Sequence, residues 1–358
     1  MKVLVTGGAG YIGSHVAREL ARRGHRVVLY DNLCTGHRNL AAGFELIVGD
    51  IRDSEKLAPI LRDVDAVMHF AAFIEVGESV AHPQKYFENN ARGSLSLLNS
   101  VLDAGVRRFI YSSTAAVYGV PTDVPISETA PRQPVNPYGH SKLFVENVLE
   151  ACGVARDLSF VSLRYFNAAG ADESGEIGEM HEPETHLIPS ILLAAAGLRP
   201  EIQIFGQDYP TPDGTCVRDF IHVNDLAAAH VLALDYLAAG GKSCALNLGT
   251  GKGHSVREVL RTAEAVTGCK LPKRFLPRRP GDPPVLVADS SRARQVLEWV
   301  PTRSLEDIVF TAWNWIQRSR QRLGEQSQFP LASFFPRPDV PAGEKPGGSG
   351  ELSKSELR

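Results

Sequence analysis

A phenol and an amine stand four positions apart in Asn136-Pro137-Tyr138-Gly139-His140-Ser141-Lys142. On a helix that spacing puts Tyr138 and Lys142 on one face, where both side chains can meet the same ligand. Free tyrosine has a pKa near 10 and is a poor base at neutral pH. A cation changes this: at roughly 6 Å and an effective dielectric near 20, a positive charge favours the phenolate by about 2.8 kcal/mol, or about two pKa units. By spacing alone the pair reads more simply as a packed tyrosine and a solvated lysine, so another feature of the chain must select between the two.

That feature lies at the N-terminus. Gly7-Gly8-Ala9-Gly10-Tyr11-Ile12-Gly13 directly follows a candidate strand and opens a candidate helix, with glycines at 7, 10 and 13 and also at 8, 10 and 13. Such glycines permit a tight turn and let the backbone approach a pyrophosphate, whose charge is held by free N–H groups at the positive end of the helix. The next strand ends in Asp31-Asn32. An acidic side chain there accepts hydrogen bonds from the adenosine ribose hydroxyls and repels a 2′-phosphate, which predicts NAD in preference to NADP. Asp50-Ile51, closing the third strand, is placed to border adenine, and Phe70-Ala71-Ala72, closing the fourth, brings small residues beside the cofactor. The nicotinamide charge and Lys142 together would then poise Tyr138 near neutrality, after a desolvation cost of about one pKa unit.

The elements that must position these groups can be read from short apolar runs alternating with longer amphipathic ones, the pattern of βαβ units. Strands are expected at Lys2 to Thr6, Arg26 to Asp31, Glu45 to Val48, Ala66 to Phe70, Arg108 to Ser112 and Ser159 to Arg164. Helices are expected at Tyr11 to Arg23, Ser54 to Leu61, Gln84 to Ala104 and Tyr138 to Ala151. With right-handed crossovers these give an α/β fold, a doubly wound parallel sheet of the Rossmann kind over residues 1–170. From 171 to 323 the alternation loosens and Pro/Gly loops multiply, so a smaller α/β substrate-binding region is expected, some of whose segments return to the first. Its helices are expected at Leu187 to Ala196, Asn224 to Leu237, Ser255 to Thr267 and Leu305 to Ser319. Residues 324–358, rich in Pro, Gly, Ser and charge, read as a tail without a core.

Composition narrows the partners. Of 358 residues 43% are hydrophobic and 22% charged, ordinary for a soluble globular protein, and a formal charge of -3 gives no basic surface for tracking nucleic acid. No apolar run approaches the roughly 20 residues that span a bilayer, and the N-terminal KVLVTGGAG lacks the layout of a signal peptide. Five scattered cysteines without a CxxC indicate neither a disulfide framework nor a thiolate metal site, and fit a reducing cytoplasm. His181 and His186 frame HEPETH, but Pro183 interrupts the helix on which a histidine pair is usually presented; a loop with no metal is the expectation.

With GGAGYIGSH, DNL, HFAA, SSTAAVYG and PYGHSK in this order, the chain resembles the extended short-chain dehydrogenases/reductases that work on nucleotide sugars, over roughly residues 1–320. Within that span RYFNAAGA, IFGQDYPTPDGTCVRDFIHVNDLA, NLGTG and PRRPGD resemble the epimerising branch. The resemblance implies reversible epimerisation at C4 of UDP-glucose/UDP-galactose through a 4-keto sugar, with a UDP-N-acetylhexosamine or UDP-pentose, or a dehydratase or dehydrogenase reaction, as alternatives. It makes Tyr138 the base, Lys142 the partner that holds the nicotinamide ribose, and Thr114 the hydroxyl that bonds and relays the proton. Asn89, Ser112 and Tyr165 join the cofactor residues. Asn167, Arg218 and Arg279 are assigned to the diphosphate, Asp282 to the uridine ribose, and Leu187 with Phe205 to the uracil pocket. Relatives that eliminate water carry an acidic pair where this chain has Ala115-Ala116, which favours epimerisation. Ile74 stands where some relatives have a cofactor-contacting lysine, His186 where asparagine often meets the nucleotide, and Leu286 where residue bulk bears on N-acetyl acceptance. The resemblance also implies a homodimer paired through the helices Gln84 to Ala104 and Tyr138 to Ala151.

Overall fold

The computed structural model describes residues 1–279 and 282–325. Its strands in chain order are β1 Lys2–Thr6, β2 Arg26–Asp31, β3 Glu45–Val48, β4 Ala66–His69, β5 Arg108–Ser112, β6 Ser159–Tyr165, β7 Asn167–Ala169, β8 Ile202–Phe205, β9 Val217–His222, β10 Cys244–Leu248, β11 Gly253–Ser255, β12 Lys273–Leu276 and β13 Val285–Leu286. The α-helices are α1 Tyr11–Arg22, α2 Ser54–Leu61, α3 Val76–Ala81, α4 Pro83–Tyr86, α5 Gly93–Asp103, α6 Pro137–Arg156, α7 Leu187–Ala195, α8 Val223–Ala238, α9 Val256–Thr267, α10 Ser291–Leu297 and α11 Leu305–Glu325.

Among these, seven parallel strands form the main sheet in the order β10-β6-β5-β4-β1-β2-β3. Parallel strands covered by helices bury both faces, and β1 shows it: Val3 and Val5 join one core with α1 and α8, while Leu4 points into the other with α2, α5 and α6. β1 lies between β2 and β4, and the chain reverses its direction of growth by crossing from β3 back to β4, so the loops after β1 and β4 open side by side into a crevice at the carboxyl ends of the strands, where such folds bind ligands.

The six strands expected from sequence are present, and the seventh, β10, returns from beyond residue 170 to pair with β6. Helix α8 returns too, packing on α1 through the same core. The remaining later elements build a second core from α7, α9, α11 and β8. The helix expected over Gln84 to Ala104 is α4, a single π-helical stretch Phe87–Arg92 and α5 in succession. Helix α11 continues to Glu325, two residues into the expected tail; residues 326–358 lie outside the described residues. No described helix is long and apolar enough to cross a membrane.

Candidate active site

Helix α6 is started by its own sequence. The Asn136 side chain accepts a hydrogen bond from Gly139 N at 2.8 Å and Pro137 occupies the first turn, where its missing N–H costs nothing. Tyr138 and Lys142 follow on the buried face, 8% and 3% exposed, with Lys142 Nζ 6.0 Å from the Tyr138 ring centroid. Lys142 donates to the carbonyl of Ser112 at 2.8 Å, fixing it to the end of β5. The Ser112 hydroxyl lies 2.5 Å from that of Tyr165, and Thr114, two residues on, caps a short 3₁₀ turn, Ala115–Tyr118, by accepting from Ala116 N.

The electrostatics differ from the sequence expectation. Burial pushes the Tyr138 phenol up to about 12 and Glu75 adds to this, while a hydrogen bond with Thr114 pulls it down. Burial also lowers Lys142 to about 7 against the pull of Glu146. Enclosure this deep disfavours the charged form of both groups. The chain's own charges therefore leave the phenol protonated at neutral pH, and a further positive charge beside it would favour the phenolate.

Glu146 was missed, although its place four residues after Lys142 puts it on the same helical face. It is 1% exposed and makes paired contacts with the buried Arg164 guanidinium, Nε to Oε1 at 2.9 Å and Nη2 to Oε2 at 2.6 Å, and accepts from Ser113 Oγ at 2.5 Å. Arg164 also donates to Tyr118. Glu146 thus ties α6 to β5, β6 and the 3₁₀ turn.

The glycine loop fits a dinucleotide. Gly7 has φ +72°, and a Cβ there would lie 2.5 Å from Ala71 N, so the loops after β1 and β4 touch only because no side chain intervenes. Tyr11, Ile12 and Gly13 open α1 as expected, and the Tyr11 hydroxyl donates to the Gly170 carbonyl. Asp31, 7% exposed, accepts from Ala9 N at 3.0 Å and Leu33 N at 2.8 Å, one bond to each oxygen; its remaining lone pairs suit ribose hydroxyls. Burial raises its carboxyl, opposed by those two bonds. Ala72 is half-buried beside Ala71.

Other residues expected to meet the cofactor are more heavily committed. Asp50 is gripped by both arms of Arg52, which hold its carboxyl down to about 2, and Asn32 donates to it at 3.3 Å. Ile51 belongs to the core under α5 and the Phe70 ring packs on His230 with centroids 4.9 Å apart. Asn89 donates to Asn90, and it is Asn90 that clamps the loop, exchanging hydrogen bonds with both backbone groups of Phe73.

The residues expected from sequence to meet the nucleotide are half-buried or exposed around β8 and β9. Arg218 Nη2 is 3.6 Å from Asp282 Oδ1, and the Arg279 guanidinium lies 3.9 Å over the Phe205 ring. Asn167 stands on β7, which pairs with β9, and Leu187 begins α7. Asp219, the neighbour that could have neutralised Arg218, is instead fully buried and accepts from Thr250 N, Thr250 Oγ1, Gly251 N and Ala288 N. It is thereby committed to the NLGTG turn, and the charge facing Arg218 is that of Asp282.

The family described as NAD dependent epimerase/dehydratase matches residues 3–249. The chain is 49% identical to a UDP-glucose 4-epimerase of Lacticaseibacillus casei, covering 91% of this chain and all of that one. Among solved structures it is similar to a UDP-glucose 4-epimerase from Stenotrophomonas maltophila with bound NAD and formylated UDP-arabinopyranose: TM-score 0.87, 46% identity, 90% of this chain and 99% of the other. A UDP-glucose 4-epimerase from Brucella ovis in complex with NAD gives a TM-score of 0.85 at 47% identity, covering 87% and 97%.

Proposed function

The chain belongs to the NAD dependent epimerase/dehydratase family, and from that premise we propose that it interconverts UDP-glucose and UDP-galactose by inverting C4 with the help of NAD. The observation that carries this reading is the gathering of Tyr138, Lys142 and Thr114 where β5 ends and α6 begins, followed by the methyl groups of Ala115-Ala116 in place of acids. Methyl groups cannot move the protons that an elimination requires, whereas oxidation and re-reduction need only one.

NAD, when bound, supplies reversible two-electron oxidation at C4. The backbone of Gly7 to Gly13 would receive its pyrophosphate and Asp31 its adenosine ribose. Tyr138 removes the C4 hydroxyl proton and later returns it, with Thr114 orienting that hydroxyl and sharing the proton. Lys142, fixed by Ser112, stands beside the phenol and favours the phenolate in its protonated form. Asn167, Arg218 and Arg279 grip the diphosphate, Arg through paired donors, while Phe205, Leu187 and Asp282 hold the uridine. Anchoring the unreactive end lets the sugar turn its other face without leaving.

The exposed apolar residues Phe87, Leu95 and Phe144, with a groove lined by Phe144, Val148, Ala151 and Cys152, lie on the helices through which a homodimer would pair. Sedimentation as a monomer at all concentrations would reject the dimer. The cysteines carry no disulfide, and the cytoplasm is the proposed location.

The function is tested by offering purified protein UDP-glucose, UDP-galactose, UDP-N-acetylglucosamine and UDP-xylose separately and resolving the products. Interconversion of the first two with NADH absorbance that never accumulates is expected. Steady NADH release would replace epimerisation by a net dehydrogenation.

A further inference from the structure

The segment between β7 and α7 contains HEPETH, and the loop expected from Pro183 is indeed non-helical. It nevertheless brings two imidazoles and two carboxylates together, with one ligand atom from each of Glu179, His181, Glu184 and His186 lying within 4.8 Å of the others. The contacts alternate around a ring. His181 Nδ1 is 3.2 Å from Glu179 Oε1 and 3.6 Å from Glu184 Oε2; His186 Nδ1 is 3.0 Å from Glu179 Oε1 and 3.0 Å from Glu184 Oε1.

Hydrogen bonding accounts for one edge of this ring, His186 Nδ1 with Glu184 Oε1 at 3.0 Å, but not for all of it. Each Nδ1 faces two carboxylates but carries at most one proton, so two protons must serve four edges. His181 Nδ1 is shut off from solvent and makes no well-directed hydrogen bond, despite its 3.2 Å approach to Glu179. Nitrogen and oxygen at that distance without a directed N–H is the arrangement of two atoms facing a common centre. Bonds of about 2.0–2.1 Å from zinc to nitrogen and oxygen in a tetrahedron give edges of about 3.3 Å, comparable to the 3.0–3.6 Å nitrogen–oxygen contacts here, so a small inward shift of one Glu184 oxygen would close the site. Charge agrees: the Glu179 and Glu184 side chains are only 6% and 7% exposed, and their two carboxylates supply the negative charge that a divalent cation needs.

We propose that Glu179, His181, Glu184 and His186 bind one divalent transition metal through two Nδ1 atoms and two carboxylates, with zinc the ion their donor set suits best. The site is structural. The backbone around it is already anchored, Trp315 Nε1 donating to the Glu179 carbonyl at 3.1 Å and Arg199 to that of Glu184, so the ion would fasten the loop that runs into Leu187. Thr185, between two ligands, donates to Glu75, the carboxylate whose charge raises Tyr138. The ion would therefore also fix the position of a group that acts on the base.

Full-length protein carrying no histidine tag, grown with added zinc, should contain about one zinc per chain by elemental analysis. After removal of zinc by a chelator, added Co²⁺ should produce the visible absorption of tetrahedral cobalt with a one-to-one end point, and added zinc should abolish it. His181→Ala/His186→Ala should lose both the zinc and the cobalt spectrum, whereas His140→Ala, an exposed control, should keep them. Should the double variant fail to fold, the cobalt titration of the unaltered chain decides. Zinc-free protein with no cobalt absorption, or zinc retained by a folded double variant, overturns the site. None of these outcomes depends on turnover, so they leave the proposed epimerisation untouched.

Discussion

At the scale of single residues, the proposed reaction rests on an unusually demanding phenol. Tyr138 is held near 12 by burial and Glu75, so its work depends on cations brought beside it. Tyr138→Phe should retain NAD and UDP-sugar while kcat falls on the order of 10²–10⁴-fold, measured by product formation alongside ligand binding; unaltered turnover would remove Tyr138 from the mechanism. Glu146 and Arg164 form a nearly solvent-free pair. Glu146→Gln should destabilise the fold by about 3–5 kcal/mol in denaturant unfolding, because it leaves a buried guanidinium unpaired. Tyr138, Lys142 and Thr114 were legible because motif and helical spacing name them. The roles of Glu146 and Asp219 were not, since a carboxylate in sequence does not show whether it meets water, Arg164 or the N–H groups of a distant turn.

At the scale of elements, α6 approaches the turn after β5 so closely that Gly139 has a structural task. A Cβ there would lie 2.7 Å from the Ala116 carbonyl oxygen and 2.9 Å from Pro134 Cβ. Gly139→Ala should push α6 away from Thr114 and lower kcat by about tenfold or more, since displacements near 1 Å cost on that order, while UDP-sugar binding through β9 persists. Comparing kcat with substrate affinity checks this; an equal loss of both would point to general misfolding. The long strands and helices of the first half were legible from period and length. β7, β11 and β13, of two or three residues each, have no period to read, and β10 is recognisable as a strand of the main sheet only through its pairing with β6.

At the scale of the whole molecule, pH acts through histidines locked in the interior. Burial lowers His15, His222 and His230 to about 4 and His69 to about 3. Between those values and the ordinary 6.5 the unfolded chain binds protons that the folded chain refuses, so this contribution to stability is whole above pH 6.5 and is lost as pH falls towards 4. His230→Phe isolates one such group: at pH 5 it should recover about 2 kcal/mol of the stability the parent loses on acidification from pH 7.5, read from unfolding curves at the two pH values. Equal acid losses in both proteins would show that His230 is not part of the effect. The sequence by itself determined the parallel sheet, the glycine cradle, the preference for NAD and the Tyr–Lys pair, because each is written in local spacing and residue type. Tertiary structure decided what spacing cannot carry: how deeply Tyr138 and Lys142 are desolvated, which carboxylate meets which cation, and that a proline-interrupted loop closes two histidines and two glutamates around one point. Those depend on distances between residues remote along the chain, and only packing sets them.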